Sequence, residues 1–210
     1  MLFRSFRPVR HGLPVVDGKH IEPFRAAFDA IDRSIAAADA RRLLRSDRYQ
    51  HPRLAYRDVA SATNRLTLIA AIVPSRAVTT HTLFCLKTKL PVAEQQVLCA
   101  LLNSFVANYL VRLRVNTHVT VALVSKLFVP VVREGHPLFE ALRSRAEWLT
   151  RASMPVEEAP QYAELQALAA HAYQITREEF MHIVGTFPLI PEGVRAASIE
   201  AFARAINCIH

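Results

Sequence analysis

The sequence predicts an α+β fold, a small mixed or antiparallel sheet with a core helix, followed by a helical C-terminal tail. Three observations predict it. Runs of β-branched and aromatic residues concentrate before residue 132 of 210, one long stretch from 97 to 110 has helical apolar spacing, and the pattern that recurs after 133 is helical.

In the first 20 residues, Pro8, Gly12, Pro14 and Gly18 punctuate the chain too often for a long helix, so extended segments and turns are expected there. Phe24, Phe28, Ile31 and Ile35 then recur at steps of four, three and four. That spacing predicts a helix from about Glu22 to Arg45, packed by its phenylalanine face, with Arg25, Asp29, Asp32 and Arg33 on a solvated side. Residues 66–73 fit a buried strand stopped by Pro74 and residues 79–87 a second one, so the two are expected to pair across Pro74-Ser75-Arg76. After Pro91, the residues Val97, Leu98, Leu101, Leu102, Phe105, Val106, Tyr109 and Leu110 predict one core helix. Residues 119–132 resume strand character, interrupted by Pro130.

Helical periodicity returns in 137–149, in 162–173 and in the stretch that Thr176 opens. Thr176 with Glu179 is a capping-box pair, and Gly185 and Pro188 stop the helix it starts. Pro191 begins a last helix carrying Val194, Ile199, Phe202 and Ile206, while Tyr162, Leu165, Leu168 and Tyr173 read as the core of a helical pair. A boundary near Val132 therefore divides the chain into 1–132 and 133–210.

The formal charge of +8 is unevenly spread, with 12 Lys/Arg against 6 Asp/Glu in residues 1–57, 7 against 2 in 58–132, and 7 against 10 in 133–210. An electrostatic footprint for a polyanion would lie in the first 132 residues. The odd, widely spaced cysteines Cys85, Cys99 and Cys208 contain no CxxC pair and suit reduced thiols. No stretch approaches about 18 uninterrupted apolar residues, so no membrane association and a cytoplasmic location are expected.

Several kinds of chemistry lack their residues. Five glycines form no GxG turn for a nucleotide-like cofactor, and no two prolines are adjacent, as a base-flipping amino-methylase would require. Between Asp58 and Val132 the acids are Asp58 and Glu94 alone, too few for a metal-dependent nuclease. Nine histidines include no HxH or HxxxH pair with an acidic partner, and no GxSxG turn presents a serine nucleophile, so no metal and no catalytic residue are expected.

Five segments, taken in order, carry a resemblance. Gly18-Lys19-His20-Ile21-Glu22-Pro23-Phe24 comes first, then Arg53 to Ala60 followed by Thr63-Asn64-Arg65-Leu66-Thr67-Leu68-Ile69-Ala70. Leu101-Leu102-Asn103-Ser104 and Phe128-Val129-Pro130-Val131 follow, and a helical ending begins at His136-Pro137-Leu138-Phe139 and contains Ile175-Thr176 and Phe187-Pro188. Together they resemble the C-terminal target-recognition, or specificity, region of type IIG restriction-modification enzymes and related adenine-specific DNA methyltransferases. One departure is that Asn64 and Arg65 are adjacent, where that family often has a residue between them.

The resemblance implies a module for sequence-specific recognition of double-stranded DNA in a restriction-modification or phage-defence system, with methylase and nuclease domains outside this chain. It further implies no enzymatic activity in the chain alone, and S-adenosylmethionine bound only by another domain or a partner chain. An assembly or scaffold subunit that docks a catalytic methylase or nuclease without touching DNA is the alternative.

Phosphate contact is expected of Lys87, Lys89, Arg112, Arg114 and Lys126, at the ends of predicted elements. Arg57, Asn64 and Arg65 lie in the segments most like the family, where they either touch DNA or support the fold. Residues 112–118 read as a donor-rich recognition loop, in which Asn116 can pair bidentately with adenine and His118 is either a groove contact or a half-exposed sheet residue.

Overall fold

The computed structural model describes residues 7–8, 12–60 and 64–205. Short strands come first: β1 (Arg7–Pro8), β2 (Leu13–Val16), β3 (Ile21–Glu22), β4 (Arg25–Ala26) and β5 (Arg33–Ile35) precede helix α1 (Ala37–Leu44). Strands β6 (Arg53–Arg57), β7 (Ala70–Val73), β8 (Val78–Thr79) and β9 (Leu83–Cys85) follow, and the later elements among the described residues are helices. The fold is thus mixed α+β, as the sequence predicts.

The stripe from Phe24 to Ile35 does not lie on one helix. Phe24 takes a left-handed φ of 72°, and its N–H donates to the Ala70 carbonyl at 2.9 Å, so the backbone there is tied to β7 and cannot start a helical turn. The side chains go to different places. Phe24 enters the largest core, edge-on to Tyr162 at 6.4 Å, whereas Ile31 and Ile35 enter two smaller ones. Only α1 of the expected helix forms.

The expected hairpin across Pro74 is also replaced. β6 lies between β7 and β9 and pairs antiparallel with both, Ala55 opposite Ala71 on one side and Cys85 on the other. After the turn the chain leaves this sheet, and β8 pairs parallel with β2 in a sheet of order β1-β5-β2-β8. Gly18 makes the junction between these layers. Its N–H donates to Thr82 Oγ1 at 2.8 Å, and a Cβ there would stand 3.1 Å from the Thr82 carbonyl oxygen.

The predicted core helix is two helices, α2 (Val92–Leu102) and α3 (Phe105–Arg112). Ser104 breaks it by taking extended backbone and capping α3, its Oγ accepting from Ala107 N–H at 3.1 Å and donating to the Leu101 carbonyl at 2.6 Å. Of the strand expected over 119–132, the described residues form only the single-turn helix α4 (Val121–Val124), capped by Thr120, and extended chain outside any ladder.

The tail forms α5 (Pro137–Arg151), α6 (Pro160–Ala172), α7 (Arg177–Gly185) and α8 (Glu192–Ala205), with the Thr176–Glu179 capping box in place at α7. Ile206 and Cys208 lie outside the described residues. One face of β6, with Leu54 and Tyr56, packs in the same core as α2, α3 and all four tail helices, where Phe105 stands between Tyr162 at 5.9 Å and Phe187 at 5.1 Å. The opposite face of β6 sends Ala55 to a second core with Val16, Ile21 and Leu83. The tail is joined to the preceding helices by a shared core that runs across residue 132.

Candidate nucleic-acid interface

Residues 64–69 precede β7 without forming a ladder, so their backbone donors need other partners. Buried amides supply them. Asn108 Oδ1 accepts from both Thr67 N–H at 2.9 Å and Leu68 N–H at 2.8 Å, while its Nδ2 donates to the Ser104 carbonyl at 3.0 Å. Asn103 accepts from Ala70 N–H at 3.0 Å and donates back to the Ala70 carbonyl at 2.8 Å. Gln166 accepts from Phe105 N–H at 2.7 Å and so ties α6 to the same joint. The segments 64–70 and 101–104, far apart in sequence, are therefore bonded to each other.

Arg112 closes this joint from the end of α3. Its guanidinium donates to the carbonyls of Thr186 at 2.9 Å, Asn64 at 2.6 Å and Arg65 at 3.2 Å, and lies 4.2 Å from the Phe187 ring centre. Burial lowers its pKa from the ordinary arginine value. All these bonds point into the fold, so the guanidinium from which phosphate contact is expected is engaged as a structural clamp. Arg65 forms an ion pair at 2.9 Å with the buried carboxylate of Glu157, and Asn64 is exposed with its carbonyl held by Arg112. Thr63, in the same segment, lies outside the described residues.

Arg57 has a similar fate on β6. It donates to the Ile21 carbonyl, its Nε is buried without a partner among the described residues, and burial lowers its pKa against the opposing pull of Glu22. It supports the fold.

Beyond Arg112 the chain turns outward. Val115 and Val119 are buried, and the Val119 N–H donates to the Asp58 carbonyl at 2.8 Å, while Thr117 accepts from Ala60 N–H at 3.3 Å. Between these anchors Asn116, Thr117 and His118 are exposed, with Arg114 and Thr120 exposed on either side. His118 Nδ1 lies 3.3 Å from Asp58 Oδ1, a contact that orients the ring at the isolated bridge to Val59. Arg114, Asn116, Thr117, His118, Thr120 and Lys126 line an open depression of about 810 Å³, and no carboxylate is among its lining residues.

Four of the ten residues expected at the interface thus share one surface. Lys87 stands across α4 from them, at the rim of an apolar cavity of about 630 Å³ walled by Tyr56, Phe84, Leu98, Leu102 and Val124. Burial, with Asp58 adding to it, pushes the Tyr56 hydroxyl up to about 12. Lys89 is exposed and lines neither hollow. Thr117 and Thr120 were not singled out from sequence, although a threonine before a short apolar turn is a capping signal. Among the described residues no group of three His, Cys, Asp or Glu side chains is placed to hold a metal ion, and no helix is long and apolar enough to cross a membrane. Comparison of the sequence with protein-family models and with curated proteins gives no match.

Proposed function

We propose that this chain recognises double-stranded DNA sequence-specifically, as the target-recognition module of a cytosolic type II restriction-modification or phage-defence methyltransferase whose catalytic domains and S-adenosylmethionine site lie elsewhere. The observation that carries the reading is the depression at 114–126, whose lining residues include two cations and no acid. Arg114 and Lys126 can neutralise phosphates, and Asn116, Thr117, His118 and Thr120 offer the short donors and acceptors that read base edges. The loop is held at Val115 and Val119, so little ordering entropy opposes binding.

The bonding of Ala70 to Asn103 supports the same reading, because two of the segments that carry the family resemblance, 63–70 and 101–104, meet there. Fluorescence anisotropy with a labelled random-sequence duplex tests it, with salt titrated and unlabelled competitor added. Binding that weakens steeply with salt, with a sequence-selected fraction surviving competition, is the expected result. Absence of binding at low salt contradicts it.

A second reading, a scaffold subunit that docks a methylase or nuclease, is favoured by the exposed apolar side chains of Phe128 and Val131 beside α4, which are 69% and 86% exposed. Capture of a catalytic partner without any DNA affinity would favour it over the first.

A further inference from the structure

The apolar cavity beside α4 lies between strands β6 and β9 on one side and helices α2 and α4 on the other. Tyr56 and Phe84, paired across the two strands with ring centres 5.5 Å apart, form one wall. Leu98, Leu102, Val121 and Val124 form the facing walls. The volume of about 630 Å³ falls within the range of roughly 300–1,000 Å³ that small-molecule sites occupy.

The polar groups in the lining decide what such a molecule must carry. The Ser125 hydroxyl donates to the Ala122 carbonyl at 3.2 Å, and the Cys85 thiol lies 3.4 Å from Thr79 Oγ1. Lys87 is exposed, and no carboxylate is among the lining residues. Tyr56 differs from all of these. The residue is only 2% exposed, yet its hydroxyl makes no hydrogen bond among the described residues. Unlike the Tyr162 hydroxyl, which is sealed in the core without a partner, it is not closed off, and the part of Tyr56 that stays accessible lines the cavity. Burial keeps it protonated at neutral pH. An unpaired donor on an apolar wall selects a molecule that brings an acceptor to it.

We infer that this cavity binds a small neutral aromatic molecule with one hydrogen-bond acceptor, its rings against Tyr56 and Phe84 and its acceptor on the Tyr56 hydroxyl. Contact with the aromatic pair and the aliphatic walls supplies the affinity, and the hydroxyl supplies the orientation. Neutrality follows from the lining, which offers no acid to a cation and no buried base to an anion. This inference does not depend on the DNA-recognition reading of the 114–126 depression.

Titration of the full chain with propionyl-dimethylaminonaphthalene, a neutral aryl ketone whose emission moves to the blue in apolar surroundings, tests the proposal. A saturable blue-shifted signal with a single site per chain is expected. Displacing the probe with acetylnaphthalene and with ethylnaphthalene, which differ by the carbonyl, isolates the acceptor. The ratio of their affinities should favour the ketone about three- to tenfold more in the parent than in Tyr56→Phe, which is the worth of one neutral hydrogen bond. In case Tyr56→Phe does not fold, Val124→Phe adds bulk from the half-buried α4 wall and is expected to weaken probe binding about tenfold. Leu189→Ser, at an exposed leucine between α7 and α8, should leave the signal unchanged. Absence of a saturable signal, a signal that Leu189→Ser removes, or one affinity ratio shared by the parent and Tyr56→Phe overturns the proposal. None of these results bears on the loop at 114–126.

Discussion

Two irregular segments of the basic half, 64–69 and 113–120, carry similar side chains and have opposite relations to the fold. In the first, backbone donors are taken up by buried amides and both carbonyls next to Arg112 are clamped, so its polarity is consumed inside the molecule. In the second, two buried valines hold the ends and the polar side chains between them face outward. Arg112 and Arg114, two residues apart, show the difference most sharply. One makes three bonds to carbonyls and covers a phenylalanine ring, and the other lines an open depression. Charge in the sequence does not distinguish a clamp from a contact. The number of internal acceptors around each guanidinium does.

That contrast is open to direct attack, beginning where the effect is largest. Asn108→Ala leaves two buried N–H groups without an acceptor, and since each such loss costs about 1–3 kcal/mol, urea unfolding should show a destabilisation of about 3 kcal/mol. A loss below about 1 kcal/mol would mean that the segment finds other partners. Arg112→Met removes the clamp while keeping much of the side-chain stem, and a loss of about 2 kcal/mol is expected by the same measurement. If Arg112→Met were as stable as the parent but failed to bind DNA, the division between clamp and contact would be wrong.

Asn116→Ala should be nearly silent in stability, within about 0.5 kcal/mol, and should cost about 1–3 kcal/mol of discrimination between the selected duplex and a random one. An equal loss on both duplexes would show that Asn116 touches backbone and reads no base. The smallest effect belongs to the edge of the first region, where burial raises the Glu157 carboxyl above its ordinary value, opposed by Arg65 and reinforced by Glu22. A carboxyl whose folded value is raised binds its proton more tightly in the folded state. The parent should therefore lose stability relative to Glu157→Gln as pH rises from the ordinary carboxylate range through the raised value. Unfolding curves of both chains across that window check the sign, and a parent that gains stability relative to Glu157→Gln as pH rises would contradict it.

The class of the fold was legible because β-branched runs and helical spacing reflect burial, which the sequence records directly. The tail helices were legible for the same reason, with Thr176 and Glu179 marking a start that the structure keeps. The stripe from Phe24 to Ile35 misled because Phe24, Ile31 and Ile35 are buried in three separate cores, with Phe28 half-buried against one of them, and periodicity registers burial without registering against what. Pairing of 66–73 with 79–87 failed because a strand from earlier in the chain, β6, takes the place between them. Nothing local encodes that insertion. Arg114, Asn116, His118 and Lys126, which line one depression, stand out in the sequence by composition and position, whereas the internal bonds of Arg57 and Arg112 depend on carbonyls of Ile21, Asn64, Arg65 and Thr186 that only the folded chain brings near.

The central claim is that Arg114 and Lys126 contact phosphates and Arg112 does not. Anisotropy of the parent and of Arg114→Gln/Lys126→Gln on one duplex, over a series of salt concentrations, tests it most directly. Each phosphate contact contributes about 0.9 to the slope of log K against log salt, so the double variant should lower that slope by about two at unchanged stability. An unchanged slope, with affinity equal to the parent's, would place the DNA surface elsewhere or remove it altogether.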